Sequence, residues 1–237
     1  MVHCFEMRTV TGLVCMERIR IIDVHEDVRA NNDRAAEALR ARLHDKGLML
    51  VNLMSSPGSG KTTLLKATLD ALGEELSIGV MEADVDSDVD AYAVQRHGAR
   101  AVQLHTGGMC HLDAAMCEQG LRELGVEGLD LVFLENVGNL ICPAEFDTGA
   151  ARKVMILSAP EGHDKPLKYP LMFEVSDVVI VSKMDVAEYF DFSLAELERN
   201  VRARNPQARI MPLSAKTGEG MDQWIDWLRN EVAAWQA

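Results

Sequence analysis

Residues 55–63 read Ser55-Ser56-Pro57-Gly58-Ser59-Gly60-Lys61-Thr62-Thr63, between an apolar run and a helical run. Small residues let a backbone curl until its N–H groups point at phosphate oxygens. Lys61 can then reach the outer phosphates, and the Thr62 hydroxyl can hold Mg²⁺. A helix opening at Lys61 adds its positive end to the cradle. Gly58, Ser59, Gly60, Lys61, Thr62 and Thr63 are therefore the expected phosphate-binding set. Ser55 stands where the first glycine of G-x-x-x-x-G-K-[ST] usually does, a departure that a strand end tolerates. The chemistry implied is binding and turnover of a nucleoside triphosphate.

A second element names the base. Val178-Val179-Ile180-Val181 leads into Ser182-Lys183-Met184-Asp185, a variant of the N-K-x-D signature of guanine-nucleotide binders. A carboxylate at Asp185 accepts from N1–H and the exocyclic amine of guanine, whereas adenine offers an acceptor at N1 and is repelled. The Lys183 stem would stack on the purine. Ser182 replaces the usual Asn and gives up an amide contact. Ser214, Ala215 and Lys216 follow another strand and resemble the S-A-K element behind the same base.

Two further strand ends supply acid: Glu82-Ala83-Asp84, and Glu135-Asn136-Val137-Gly138. Carboxyl ends of parallel strands line the ligand crevice of α/β sheets. Asp84 and Glu135 are thus expected to orient Mg²⁺ and the attacking water, with Lys61 completing the catalytic set. Gly138 can offer its N–H to the terminal phosphate. The aspartate-rich run at residues 84–90 fails as a calcium loop, because Val89 and Gln95 stand where glycine and glutamate are needed.

Soft donors form a third group. His105-Thr106-Gly107-Gly108-Met109-Cys110-His111 joins a strand to a helix, and Cys142 follows the Glu135 strand end. If Cys110 and His111 open the helix, its dipole favours a metal-ready thiolate. Both segments leave the sheet on the nucleotide side, so Cys110, His111 and Cys142 can meet. Sulfur and imidazole suit zinc or nickel and select against magnesium. From residue types alone, a Cys-His pair is more often an inert thiol beside a surface imidazole. Cys117, seven residues after Cys110, belongs in the core; Cys4, Cys15 and the 13 methionines carry no metal spacing.

Positioning these groups requires an α/β fold. After Gly47, candidate strands at residues 48–54, 78–82, 101–104, 129–134, 154–158, 178–181 and 210–213 alternate with candidate helices at 61–72, 89–97, 111–124, 194–203 and 221–235. That alternation predicts a mostly parallel sheet with helices on both faces, a P-loop NTPase architecture. Ala35, Ala36, Leu39 and Leu43 give residues 27–45 a helical period. Residues 1–26 read as an N-terminal extension of unassigned role, with a possible short strand in RIRIIDV, and 27–237 as one domain.

The bulk composition narrows the partners. The 237 residues carry a net charge of −13, which repels nucleic-acid phosphates and anionic membranes. No apolar run is long enough to span a bilayer, and MVHCFEMR has no secretory core. Five unevenly spaced cysteines fit reduced thiols in a cytoplasmic protein.

The strings SSPGSGKTT, CHLDA, ENVGNLICPAEFD and EGHDKPLKYP, in that order, resemble the HypB family, with likeness from about residue 27 to the C-terminus. The resemblance implies a Mg²⁺-dependent GTPase that forms a nucleotide-promoted homodimer. It also implies Ni²⁺ or Zn²⁺ on Cys110, His111 and Cys142, and Mg²⁺ on Thr62 and Asp84. GTP or GDP would be held by Gly58 to Thr63, Gly138, Ser182, Lys183, Asp185 and Ser214 to Lys216. The partners implied are a hydrogenase large-subunit precursor and a companion nickel chaperone. Cys4 and Cys15 do not make the Cys-rich nickel motif that opens many members. Lys165 and Lys168, in DKPLKYP, are candidates for a charge switch and equally for solvated lysines.

Three other functions remain open at this level. A urease-assembly GTPase would carry Cys-Pro-His where Cys110-His111 stands. A nucleotide-gated interaction module would hold metal only structurally. A small-molecule kinase would need an acceptor pocket and base that the sequence does not display.

Overall fold

In a computed structural model, which describes residues 24–84, 94 and 97–237, the alternating pattern becomes a seven-stranded sheet. The strands are β1 (Met49–Ser55), β2 (Ile78–Asp84), β3 (Arg100–His105), β4 (Leu131–Glu135), β5 (Arg152–Ser158), β6 (Val178–Ser182) and β7 (Arg209–Pro212). Their order is β3-β2-β4-β1-β5-β6-β7, and every pairing is parallel. The carboxyl ends of all seven strands therefore share one edge, which gathers the loops singled out above. Of the candidate helix at 89–97 only Val94, helical and buried, and His97, in a turn, are described, while the aspartate run beyond Asp84 and the RIRII stretch lie outside the described residues.

Central strands of a parallel sheet are covered on both faces and so read as unbroken apolar runs. β1, β4 and β6 are buried along their whole length. One face packs under α2 (Lys61–Leu72) and the last helix, α8 (Met221–Trp235). α2 presents Leu64, Leu65, Leu69 and Leu72, and Trp224 of α8 donates its indole N–H to Thr68, 2.8 Å away. The opposite face packs under α1 (Val24–Asp45) and α3 (Ala114–Leu124), and further along under α6 (Pro170–Glu174) and α7 (Leu194–Arg202). Between them lie two one-turn helices, α4 (Cys142–Glu145) and α5 (Lys165–Lys168).

α1 buries Ala36, Leu39 and Leu43, as its helical period implies, but leaves Ala35 exposed. The start of α3 corrects the sequence expectation. Asp113 is its N-cap, accepting from the Met116 N–H at 2.8 Å, so the helix opens at Ala114. Cys110 and His111 lie in the loop before it, and not in its first turn. A side-chain acceptor satisfies an otherwise orphaned N–H at that point, which sets the boundary.

Candidate functional site

The loop after β1 wraps a cavity of about 610 Å³ lined by Pro57, Gly58, Gly60, Lys61, Thr62 and Thr63. Gly60 holds φ +99° immediately before α2, a conformation that side chains rarely adopt, and this aims the helix N-terminus into the cavity. The Lys61 ammonium donates to the Ser55 hydroxyl at 2.8 Å, so the residue replacing the first glycine is a partner for the loop lysine. Ser56 bonds to Glu161, whose other oxygen accepts from both the N–H and the hydroxyl of Ser158. The loop is thereby tied to the EGHD segment after β5.

From the other side the cavity is lined by Glu82, Gln103, Glu135 and Gly138. Glu82 is paired in register with Glu135 on one side and with Gln103 on the other, so the three share one face of the sheet. Thr62 donates to Glu135 across 3.1 Å, placing the expected Mg²⁺ hydroxyl against the expected acid. Glu82 and Gln103 were not singled out from sequence; alternation along their strands was the available signal. The Gln103 amide nitrogen and oxygen are buried and have no hydrogen-bond partner among the described residues. Asp84 closes β2. Gly138 approaches Pro57 so closely that a Cβ would come within 2.9 Å of its ring, and only glycine fits there.

A second cavity, of about 320 Å³, adjoins the first and is lined by Ser182, Lys183, Asp185, Ser214, Ala215 and Lys216. The two sequence elements meant for the base thus meet. Asp185 accepts from the Ser214 hydroxyl at 2.7 Å, which fixes the carboxylate plane. Lys183 is the one non-glycine described residue with a left-handed backbone, at φ 58°, and its ammonium donates to the Gly58 carbonyl at 2.6 Å. Strain of this kind persists where surrounding contacts over-determine it. Ser182 does more than its lost amide implied: its buried hydroxyl donates to the Ser59 carbonyl at 2.6 Å.

The soft donors converge as well. Cys110 and Cys142, 32 residues apart, place their sulfurs 2.8 Å from each other. The proton shared with Cys110, followed by partial burial, holds the Cys142 thiol above its ordinary value. His111 Nδ1 lies 3.8 Å from the Cys110 sulfur, while its ring stacks on Phe146 with centroids 3.9 Å apart. The three expected ligands share one surface region. Yet among the described residues no three His, Cys, Asp or Glu side chains stand arranged as a metal cage. Asp113 is occupied as a helix cap. Cys117 is fully buried in the core, and burial pushes its thiol far upward. Lys168 pairs with Asp164 at 2.6 Å, and Lys165 lies over the Tyr169 ring. No helix among the described residues is long and apolar enough to cross a membrane.

Known proteins are similar to this chain in sequence and fold. The family model for the CobW/HypB/UreG nucleotide-binding domain matches residues 49–212, which span every strand of the sheet. The hydrogenase maturation factor HypB of Azotobacter chroococcum is 44% identical over 92% of this chain and 72% of its own length. The crystal structure of HypB from Helicobacter pylori in complex with nickel superposes with a TM-score of 0.81. It is 38% identical, covering 86% of this chain and 96% of that one. HypB from Archaeoglobus fulgidus superposes at 0.80 with 39% identity, over 86% and 99% of the two chains. With the family model spanning every strand and these relatives matching over 86–92% of its length, this chain belongs to the HypB family of hydrogenase maturation factors, a P-loop NTPase fold.

Proposed function

We propose that the protein is a GTP-hydrolysing metallochaperone that delivers nickel to a hydrogenase precursor. The observation carrying this reading is the closeness of the two sites along one segment. Gly138 is packed against Pro57 of the phosphate loop, and Cys142, four residues on, touches Cys110. A shift of the phosphate loop is then passed to the thiol pair through very little backbone. The names of the relatives, and the nickel complex of the Helicobacter pylori protein, support the choice of client and cargo.

Within the nucleotide site, Asp185 selects guanine because Ser214 holds one of its oxygens and leaves the carboxylate oriented for the base. Lys61 carries charge to the outer phosphates. Thr62 and Glu135 are already joined, and with Asp84 they suit Mg²⁺ bound to the nucleotide. When bound, such a metal would offset negative charge on the transferring phosphoryl group. Glu135 orients the water that attacks the terminal phosphorus, and GDP and phosphate leave. Cys110, His111 and Cys142 hold the cargo. Three donors leave a zinc or nickel ion open to a fourth from water or a second chain, which fits a nucleotide-promoted homodimer. A cytoplasmic setting keeps the thiols reduced, and a companion nickel chaperone would load them.

The test is a metal titration in the GDP and GTP-analogue states, with particle size measured in parallel. Affinity or stoichiometry should differ between the states, and Cys142→Ala should remove the difference while GTP still binds. Identical curves and identical sizes would leave a GTPase beside an unrelated metal site. Nickel transfer to an apo-hydrogenase precursor, with GTP against a non-hydrolysable analogue, separates delivery from purely structural metal.

A further inference from the structure

The two loops carrying the thiol pair are not held together by the sheet. β3 and β4, which launch them, are separated by β2. A side chain of α1 joins them instead. The Asn32 amide donates from Nδ2 to the carbonyl of Asp147 at 2.9 Å. Its Oδ1 accepts from the N–H of Ala114 at 3.0 Å. Ala114 is the first residue of α3, just past Cys110 and His111, and Asp147 lies five residues beyond Cys142.

The Asp147 side of this bridge is braced by the same helix. Arg40 donates to both Asp147 carboxylate oxygens at 2.7 Å, and its Nε donates to the Ala150 carbonyl at 2.9 Å. Arg29 pairs with Glu145 at 3.0 Å. Gly149 sits so close to α1 that a Cβ would come within 2.9 Å of Leu39. Residues 145–150 are thus clasped along α1, whereas the Cys110 loop reaches α1 by hydrogen bond through Ala114 alone among the described residues. An amide is what this bridge requires, with one donor and one acceptor on a short, planar group. A carboxylate supplies two acceptors and sets one of them against the Asp147 carbonyl.

We propose that Asn32 is a positioning residue for the metal site: it sets the separation of the Cys110 and Cys142 loops and so tunes metal affinity without touching the metal. The inference rests on the metal-binding reading above. The sulfurs stand 2.8 Å apart, closer than the roughly 3.8 Å kept by two thiolates bonded to one tetrahedral zinc. Loading must move the two sulfurs apart by about 1 Å, and Asn32 limits how much of that movement the loops can supply. Without the bridge, the two thiolates lose their common reference and must be ordered at the moment of binding.

The experiment compares the full chain with Asn32→Asp, Asn32→Ala and Cys142→Ala. Zn²⁺ affinity is read by chelator competition, and the thiolate-to-cobalt absorption band is read with Co²⁺. GDP affinity and the metal-free melting temperature are measured alongside. Asn32→Asp is nearly isosteric and keeps the acceptor for Ala114, so it guards against a folding failure in the alanine variant. Both Asn32 variants should weaken Zn²⁺ binding about tenfold, as outer-shell changes do at metal sites. They should also shift or weaken the cobalt band, with GDP affinity unchanged. Metal binding like that of the parent in Asn32→Asp, with Cys142→Ala defective, overturns the role of Asn32 alone. Parallel losses of metal affinity, GDP affinity and melting temperature mark a merely structural contact and also overturn it. Metal binding intact in Cys142→Ala overturns the metal reading itself, and this inference with it.

Discussion

The Ser182 hydroxyl donates to the carbonyl of Ser59 across 2.6 Å, joining the end of β6 to the phosphate loop. The base element and the phosphate element are thus one rigid unit, reinforced by Lys183 on Gly58. Ser182→Ala removes a buried hydrogen bond and leaves the Ser59 carbonyl to find another donor. A loss of about 1 kcal/mol is expected, a several-fold weakening of GTP measured by calorimetry. Ser182→Asn, which from sequence alone should tighten GTP, must now fit a longer side chain into a buried contact that is already made. No gain in affinity is expected from it.

Asp185→Asn should shift preference from guanine to xanthine nucleotides. Ser214 donates to Asp185, so the substituted amide keeps its oxygen toward Ser214 and turns its NH₂ toward the base. That group meets the C2 carbonyl of xanthine favourably and the guanine amine unfavourably. Loss of a charge-assisted pair costs roughly 1.5–3 kcal/mol, or about ten- to a hundred-fold in GTP affinity. Competition binding with GTP, XTP and ATP decides it; equal GTP and ATP binding by the unsubstituted protein removes Asp185 from this role.

Lys61→Ala should nearly abolish nucleotide binding. Glu135→Gln should spare it while slowing hydrolysis, because the amide still accepts from Thr62 but lacks the charge that orients metal and water. Single-turnover kinetics and equilibrium binding on the same samples separate the two effects. Turnover of the parent should be slow and rise with protein concentration, as a site completed by a second chain requires.

Asp147 gives the fold an acid-sensitive clasp. Burial raises its carboxyl, but Lys153, the Gly149 N–H and Arg40 together outweigh burial and hold it below the ordinary carboxylate range. A depressed carboxyl stabilises the fold above its unfolded value, near pH 3.9. That contribution disappears as pH falls through the folded value. Urea unfolding from pH 7 down to pH 3 should show a steeper loss of stability in the parent than in Arg40→Ala. Parallel curves would mean the clasp carries no linkage.

Cys117 should resist alkylation until the protein unfolds, since it is fully buried and burial raises its thiol. Cys110, on the exposed loop, should label in the native state. Peptide mapping after iodoacetamide, with and without denaturant, reads both. Cys117→Ala should leave metal stoichiometry unchanged.

Much of this protein was legible in its sequence, because its strongest signals are local. The expectation of a phosphate loop rests on Gly58, Gly60, Lys61 and Thr62, whose backbone freedom and charge act within one loop. Strand and helix periods placed all seven described strands to within about two residues and signalled a parallel sheet. Local chemistry was misread at one point: Asp113 is a helix cap, and the helical pattern was carried back through His111. What only the tertiary structure decided are the meetings between distant segments. The approach of Cys110 to Cys142 was expected from their strand ends, but Ser182 reaching Ser59, and Glu82 and Gln103 lining the same cavity, were not. Asn32 bridges Ala114 and Asp147. Each depends on strand order, and a period of two or 3.6 residues carries no information about which strand lies beside which. That order is chosen by how the whole set of apolar faces is buried at once.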